Sequence, residues 1–268
     1  MRPFVLIREM RKQDEVTCEE LVKNFILSGV RQAFVETIFK EVRLQGIVYI
    51  FHPHFPALHF SHTQITLQMI VLCWAIAFIF FGIPPLYCLL TVPGVIIGLF
   101  FLVYGTFFNK AMEIANMKPN RCWLAELHYN GISEPRDFDI FFNDPPDEQQ
   151  VSKMRRKIIS SISMKNHRNL HNSAWLYRFG FSHKNHIPSL GEALIAHVLD
   201  FCRDNRFSTV EGVTRECDDD LRDVYTKLGF TMKQVYHKQI VGNSLRIMKA
   251  QFGIDLEKWN GYGNYSAD

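Results

Sequence analysis

The sequence predicts a mixed α/β fold, a sheet with helices packed on it, interrupted by an inserted two-helix transmembrane hairpin. Two observations carry this. Short β-rich runs and helix-period segments follow in the order β-α-α, strands, loop, helix, strand, helix and terminal hairpin. Between Leu44 and Asn109 there is also no Asp, Glu, Lys or Arg, and residues 65–108 are almost wholly apolar.

Phe4 to Arg8 reads as the first strand, and Asp14 as the N-cap of a helix that sets Val16, Leu21, Val22, Phe25 and Ile26 along one face. A second amphipathic stretch, "RQAFVETIFKEVRLQG", ends at Gly46 as a C-cap. Residues 1–46 are thus the N-terminal part of the sheet domain. The apolar block, residues 64–108, is longer than the ~20 residues one crossing needs. It divides at Gly82-Ile-Pro-Pro85 into "ITLQMIVLCWAIAFIFFG" and "LYCLLTVPGVIIGLFFLVYGTFF". Adjacent prolines remove two backbone donors and turn the chain. The other reading of the block is a buried apolar hairpin in a soluble protein.

Residues 110–252 form the main part of the domain. After a polar connector, "CWLAELH" reads as a strand and Asn130-Gly131 as a turn. Residues 133–172 read as a basic loop insertion, because Asp144-Pro-Pro146 breaks structure and no acidic residue occurs between Glu148 and Glu192. Its position beside the apolar block would let it meet anionic lipid. A strand (Ala174 to Ser182), a loop and a helix to about Arg206 follow. Then come the strand "FSTVEGVT", an acidic segment leading into a helix, and a hairpin turning near Gly242-Asn243. Residues 253–268 are a tail.

A net charge of +3 without interleaved recognition aromatics sets nucleic acid aside. The six cysteines include no C-x-x-C pair, so neither a disulfide framework nor a zinc site is expected. His167, His171, His183 and His186 lack helical i, i+4 pairing, so no metal is expected there either. Asp218-Asp219-Asp220 reads as the charged start of a helix. Ser189 has no nucleophile-elbow context.

The chemistry centres on "HKNHIPSLGEAL". A strand that ends in a loop and hands over to a helix leaves unpaired amides and a positive dipole end, where a phosphate can sit. With this order, "LIREMRKQDE", the position of the apolar block, "CWLAEL", "VYTKLGF" and the terminal hairpin, the chain resembles the GNAT acetyltransferase superfamily. More narrowly, it resembles the membrane-bound branch of cysteine-S-conjugate N-acetyltransferase and camello-like proteins.

The resemblance implies acetyl-CoA as co-substrate and an amine acceptor, a small molecule or a protein lysine. It implies that the cofactor lies along Phe179, Gly180 and Phe181, with its pyrophosphate over Ile187, Ser189, Leu190 and Gly191. In the family loop, Arg/Gln-x-x-Gly-x-Gly/Ala, His186 takes the Arg/Gln place, Ser189 the first Gly and Gly191 the last. Pro188 offers no N–H to a phosphate, and Ser189 brings a Cβ where hydrogen is usual. Tyr225 matches the tyrosine that protonates the departing thiolate. The general base stays open among Glu126, Glu211 and His183. The altered loop also admits a catalytically inactive GNAT-fold membrane protein with a binding or scaffolding role.

If residues 1–46 and 110–252 share one sheet, both lie on the same side of the bilayer, so the crossings are even in number. Basic residues on both flanks (Arg31, Lys40 and Arg43 before, Lys110, Lys118 and Arg121 after) place the domain in the cytosol. The resemblance supplies the endoplasmic reticulum as the membrane.

Overall fold

A computed structural model of the chain describes residues 2–35, 74, 82, 91–130, 135, 138–143, 154–167, 170–182, 187–215, 218–241, 245–259 and 261. In chain order the elements are β1 (Phe4–Glu9), α1 (Glu15–Ser28), α2 (Thr91–Ala115), β2 (Arg121–Tyr129), β3 (Asp139–Phe142), β4 (Arg155–Asn166) and β5 (Ser173–Phe181). Then follow α3 (Glu192–Asp204), β6 (Thr209–Arg215), α4 (Asp219–Lys227), β7 (Thr231–Val241) and β8 (Leu245–Asp255). The strands form one mixed sheet in the order β3-β1-β2-β4-β5-β6-β8-β7. With its flanking helices, this is the mixed α/β arrangement expected from the sequence.

The chain divides into two compact units, one of Met1–Ser28, Lys110–Tyr236 and Met248–Asp268, the other of Gly29–Asn109 and His237–Ile247. In the first unit, β1 and β2 are buried along nearly their whole length, because helices cover the sheet. Val5, Ile7, Trp123, Ala125 and Leu127 join the core that α3 caps with Leu194, Ile195, Val198 and Leu199. Trp123 packs edge-on against Phe201 at 4.9 Å. α1 turns Cys18, Val22, Phe25 and Ile26 inward. Val16, expected on that face, is 66% exposed at the second residue of the helix.

Two other expectations about this unit change. The stretch 133–172 is not an uninterrupted loop: it contains β3 and the central strand β4, whose buried serines hide the apolar alternation that marks a strand. The C-terminal tail is not separate from the core, because β8 runs to Asp255 and Leu256 and Trp259 are buried. Trp259 donates its indole N–H to Asp200 at 2.8 Å.

In the apolar block, residues 65–82 lie outside the described residues apart from Trp74 and Gly82, as do Pro84 and Pro85. Among the described residues one helix is long and apolar enough to cross a membrane, over Ile96–Ala115, so a two-helix hairpin is not shown. This helix, α2, continues through the segment expected to be a polar connector and ends at Ala115. Ile96, Ile97, Phe101 and Leu102 on it are exposed.

Candidate functional site

β5 and β6 are parallel neighbours, and their ladder consists of the four pairs from Ser173–Thr209 to Leu176–Gly212. Both strands run on, β5 to Phe181 and β6 to Arg215, while the other edge of β6 pairs with β8 along its whole length. The sheet therefore forks past Leu176. Along the outer half of β5, from Tyr177 to Phe181, the backbone groups on the β6 side have no ladder partner among the described residues.

The fork has a cause in β5 itself. Ser163 of β4 faces Tyr177, but Ser161 faces Gly180, so β5 carries an extra residue between these pairs. Arg178 sits in this bulge in the left-handed region, at φ 56°. For a long side chain this conformation costs about 1–2 kcal/mol. Such strain persists only where the surroundings enforce it.

Unsatisfied buried polar atoms collect around this half-strand. Among the described residues they are the hydroxyls of Ser160, Ser161, Ser182 and Tyr225, the Nε and Nη2 of Arg178, and both ring nitrogens of His128. Ser160 and Ser161 pair with Phe181 and Gly180, and Ser182 follows directly, so all but His128 and Tyr225 lie on or beside the outer half of β5. Buried polar groups are nearly always partnered in a resting protein. A concentration of exceptions marks a place where a polar ligand belongs.

Tyr225 reaches the same place from α4. It is fully buried, stacked on Phe252 at 5.6 Å and edge-on to Phe230 at 4.7 Å and to Phe179 at 6.2 Å. Its hydroxyl lies so close to Gly212 that a Cβ there would stand 2.2 Å from the oxygen. Gly212 belongs to the last rung before the fork, so the hydroxyl sits at the fork's closed end. Burial pushes its pKa above the ordinary tyrosine value, and the group keeps its proton.

The expected phosphate loop takes a different form. Ile187–Gly191 is a wide helical turn continuous with α3, with Gly191 itself at φ −63° and ψ −41°. Pro188 suits such a start, since its ring pre-sets the backbone and its missing N–H would be unpaired in any case. Leu190 is buried and anchors the turn, while Pro188 and Ser189 are exposed. The first amides of the helical path still lack upstream carbonyls, so the dipole end survives at Ile187, Ser189 and Leu190. His183 and His186 lie outside the described residues.

Both described candidates for the general base are engaged. Glu126 accepts from Arg8 Nε at 2.6 Å, and Glu211 accepts from Gln251 Nε2 at 2.8 Å. Sequence reasoning passed over Arg178. It is 4% exposed and donates Nη1 to the Met117 carbonyl at 3.0 Å. The signal was legible: a lone arginine inside the apolar strand "AWLYRFGFS" has to be buried for a reason. Beside it, Cys18 of α1 and Cys122 of β2 share a hydrogen bond. That bond holds the Cys122 thiol below its ordinary pKa, with Ser163 and Arg178 adding to the effect.

No family model matches the chain, and no curated protein matches it. Solved structures do. The chain is similar to a protein from Desulfovibrio desulfuricans described as an acetyltransferase of the GNAT family, at 12% identity and a TM-score of 0.40, over 94% of this chain and 99% of that one. It is similar to a spermidine N-acetyltransferase chimera from Vibrio cholerae at 13% identity and a TM-score of 0.37, over 57% and 78% of the two chains. It is also similar to an IAA acetyltransferase from Bacillus cereus at 12% identity and a TM-score of 0.34, over 55% and 83%.

Proposed function

We propose that this chain is a membrane-anchored N-acetyltransferase of the GNAT type, moving an acetyl group from acetyl-CoA to an amine. The observation that carries the reading is the fork between β5 and β6 with the unpartnered hydroxyl of Tyr225 at its closed end. The residues present fit the co-substrate, whose pantetheine amides supply the donors and acceptors that the outer half of β5 lacks. Phe179, Gly180 and Phe181 would take those amides on their free backbone edge. The amides of Ile187, Ser189 and Leu190 would face the pyrophosphate. Tyr225, holding its proton at neutral pH, would donate it to the sulfur that leaves the acetyl group. An acid kept protonated by burial is suited to that step.

The altered first turn tempers affinity. Pro188 contributes no N–H, and one lost charge-assisted contact costs about 1.5–3 kcal/mol, or ten- to a hundredfold in binding. Titration calorimetry of the detergent-solubilised full chain with acetyl-CoA tests the reading. Binding is expected in the micromolar to millimolar range, and absence of binding at millimolar co-substrate would overturn it. With binding in hand, Tyr225→Phe is expected to lower turnover at least tenfold with little change in acetyl-CoA affinity. Unchanged turnover removes Tyr225 from its role.

A second reading, an inactive GNAT-fold protein with a binding or scaffolding role, is favoured by the engagement of both Glu126 and Glu211. The calorimetry and turnover measurements separate the two readings.

The anchoring rests on the charge-free block from Leu44 to Asn109 and on the apolar side chains that α2 exposes. An exposed apolar surface of this kind suits lipid. The domain would face the cytosol at the endoplasmic reticulum. In intact microsomes, protease is expected to reach both Met1 and Asp268; termini on opposite faces would defeat the arrangement.

A further inference from the structure

Among the described cysteines two stand together and one stands apart. Cys18, in the first turn of α1, and Cys122, the second residue of β2, pack into one buried cluster with Leu124. They come from the two stretches that flank the insertion, Met1–Ser28 and Lys110–Tyr236, so folding alone brings them into contact. Cys202 on α3 is equally buried, but its sulfur meets the thioether of Met164 at 3.2 Å, and burial pushes its thiol up to about 12.

The surroundings of Cys122 suit a negative sulfur. The Cys18 S–H donates to it, and so does the hydroxyl of Ser163, its partner across the β2–β4 ladder. The Arg178 guanidinium acts on it as well, with Nε and Nη2 unpartnered among the described residues. Donors and a cation around a thiol favour the thiolate, the form that attacks an oxidant. The bond from Cys18 holds Cys122 below the ordinary thiol value against the opposing effect of burial, while the same bond and burial push Cys18 up. Asp14 opposes the thiolate, but it is tied to Arg8 at 2.8 Å. One sulfur is prepared to react, and the other keeps its proton within reach.

We propose that Cys18 and Cys122 form an oxidant-responsive pair, in which hydrogen peroxide oxidises Cys122 and Cys18 then closes a reversible disulfide between α1 and β2. The Cys122 sulfur attacks one peroxide oxygen and the O–O bond breaks, giving a sulfenic acid and hydroxide. The Cys18 sulfur then attacks the Cys122 sulfur, the S–O bond breaks, and a second hydroxide leaves. The two thiol protons end in the two waters; the thiols lose two electrons and the peroxide gains them. Sulfurs in hydrogen-bond contact need only a short approach to reach the ~2.05 Å of a disulfide. The bond would span the insertion Gly29–Asn109 and fasten α1, whose Phe25 lies edge-on to Phe181 at 5.4 Å, to β2. In a reducing compartment such a bond is transient and reports oxidant. Nothing in this pair depends on the acetyltransferase reading.

The test exposes the reduced, detergent-solubilised full chain to hydrogen peroxide, alkylates the remaining thiols after denaturation, and maps the peptides by mass spectrometry without reduction. A Cys18–Cys122 cross-linked peptide is expected, reversed by dithiothreitol, while Cys202 stays alkylated. Cys18→Ala is expected to leave Cys122 as a sulfenic acid that dimedone traps on denaturation, and Cys122→Ala to leave Cys18 unoxidised. In Arg178→Met the cross-link is expected to form about tenfold more slowly at neutral pH, with the midpoint of its rate–pH profile moved upward. Oxidation of Cys18, Cys122 and Cys202 at one common rate would mean that the thiols react only when the chain opens, and overturns the proposal. So does the absence of the cross-link, or a Cys18 that oxidises as fast in Cys122→Ala as in the wild type. An unmoved profile in Arg178→Met refutes the part given to the guanidinium.

Discussion

Two arginines in one sheet, Arg8 on β1 and Arg178 on β5, present the same group in opposite states. Arg8 is surrounded by carboxylates, Asp14 at 2.8 Å and Glu126 at 2.6 Å, and so ties the start of α1 to β1 and β2. Among the described residues Arg178 meets one backbone carbonyl and no acid. A buried charge with all its donors answered belongs to the architecture. A buried charge with a free edge was not placed there for stability, because its desolvation is uncompensated. The difference separates the half of the sheet that holds the fold from the half arranged to receive something.

The largest test of this contrast is Arg8→Met. It strands Asp14 and Glu126 together in the interior, and a loss of about 3–5 kcal/mol is expected in chemical unfolding. Arg178→Met should do the reverse and gain about 1–2 kcal/mol in the same assay, since an uncompensated charge is replaced by an apolar chain of similar length. If the two substitutions cost the same, Arg178 is structural and the contrast fails.

Gly212→Ala probes the closed end of the fork. The added Cβ meets the hydroxyl and ring of Tyr225 at 2.2 and 2.8 Å, and the ring is hemmed in by Phe230 and Phe252. A loss of about 1–3 kcal/mol is expected. An unaffected stability would mean that Tyr225 has room to leave the fork.

The smallest effect is a pH dependence. His128 lies buried against Phe4, stacked at 4.9 Å, and burial holds its pKa below 6.5, as it does for His197. Below about pH 6.5 the unfolded chain takes up protons that the folded one refuses. Stability is therefore full above that pH and declines as the pH falls through it. His128→Phe, which keeps the stacking, should flatten the decline between about pH 7 and 5; an unchanged slope would show that His128 is not its source.

Much of the fold could be read from the residues. β1, α1, β2, β5, α3, β6 and α4 announce themselves through apolar periodicity and through punctuation such as Asp14. β4 could not be read so, because Arg155, Arg156 and Lys157 open it and Ser160, Ser161 and Ser163 fill buried positions where an alternation rule expects aliphatic side chains. The site was partly legible. Tyr225, singled out by its place in "VYTKLGF", lies fully buried with its hydroxyl at Gly212, whereas Ile187–Gly191 was read as an open loop and proves to be a helical turn. The bulge at Arg178 was invisible, since it depends on how β5 registers against β4, a relation between strands that no local pattern encodes.

The extra residue in β5 also bears on how fast anything can enter. Beyond Leu176 the outer half of the strand already shares no rung with β6 in the resting molecule. An extended chain that takes hydrogen bonds from Tyr177 to Phe181 displaces solvent there and breaks no rung of the sheet, so arrival is limited by encounter and not by prior unzipping.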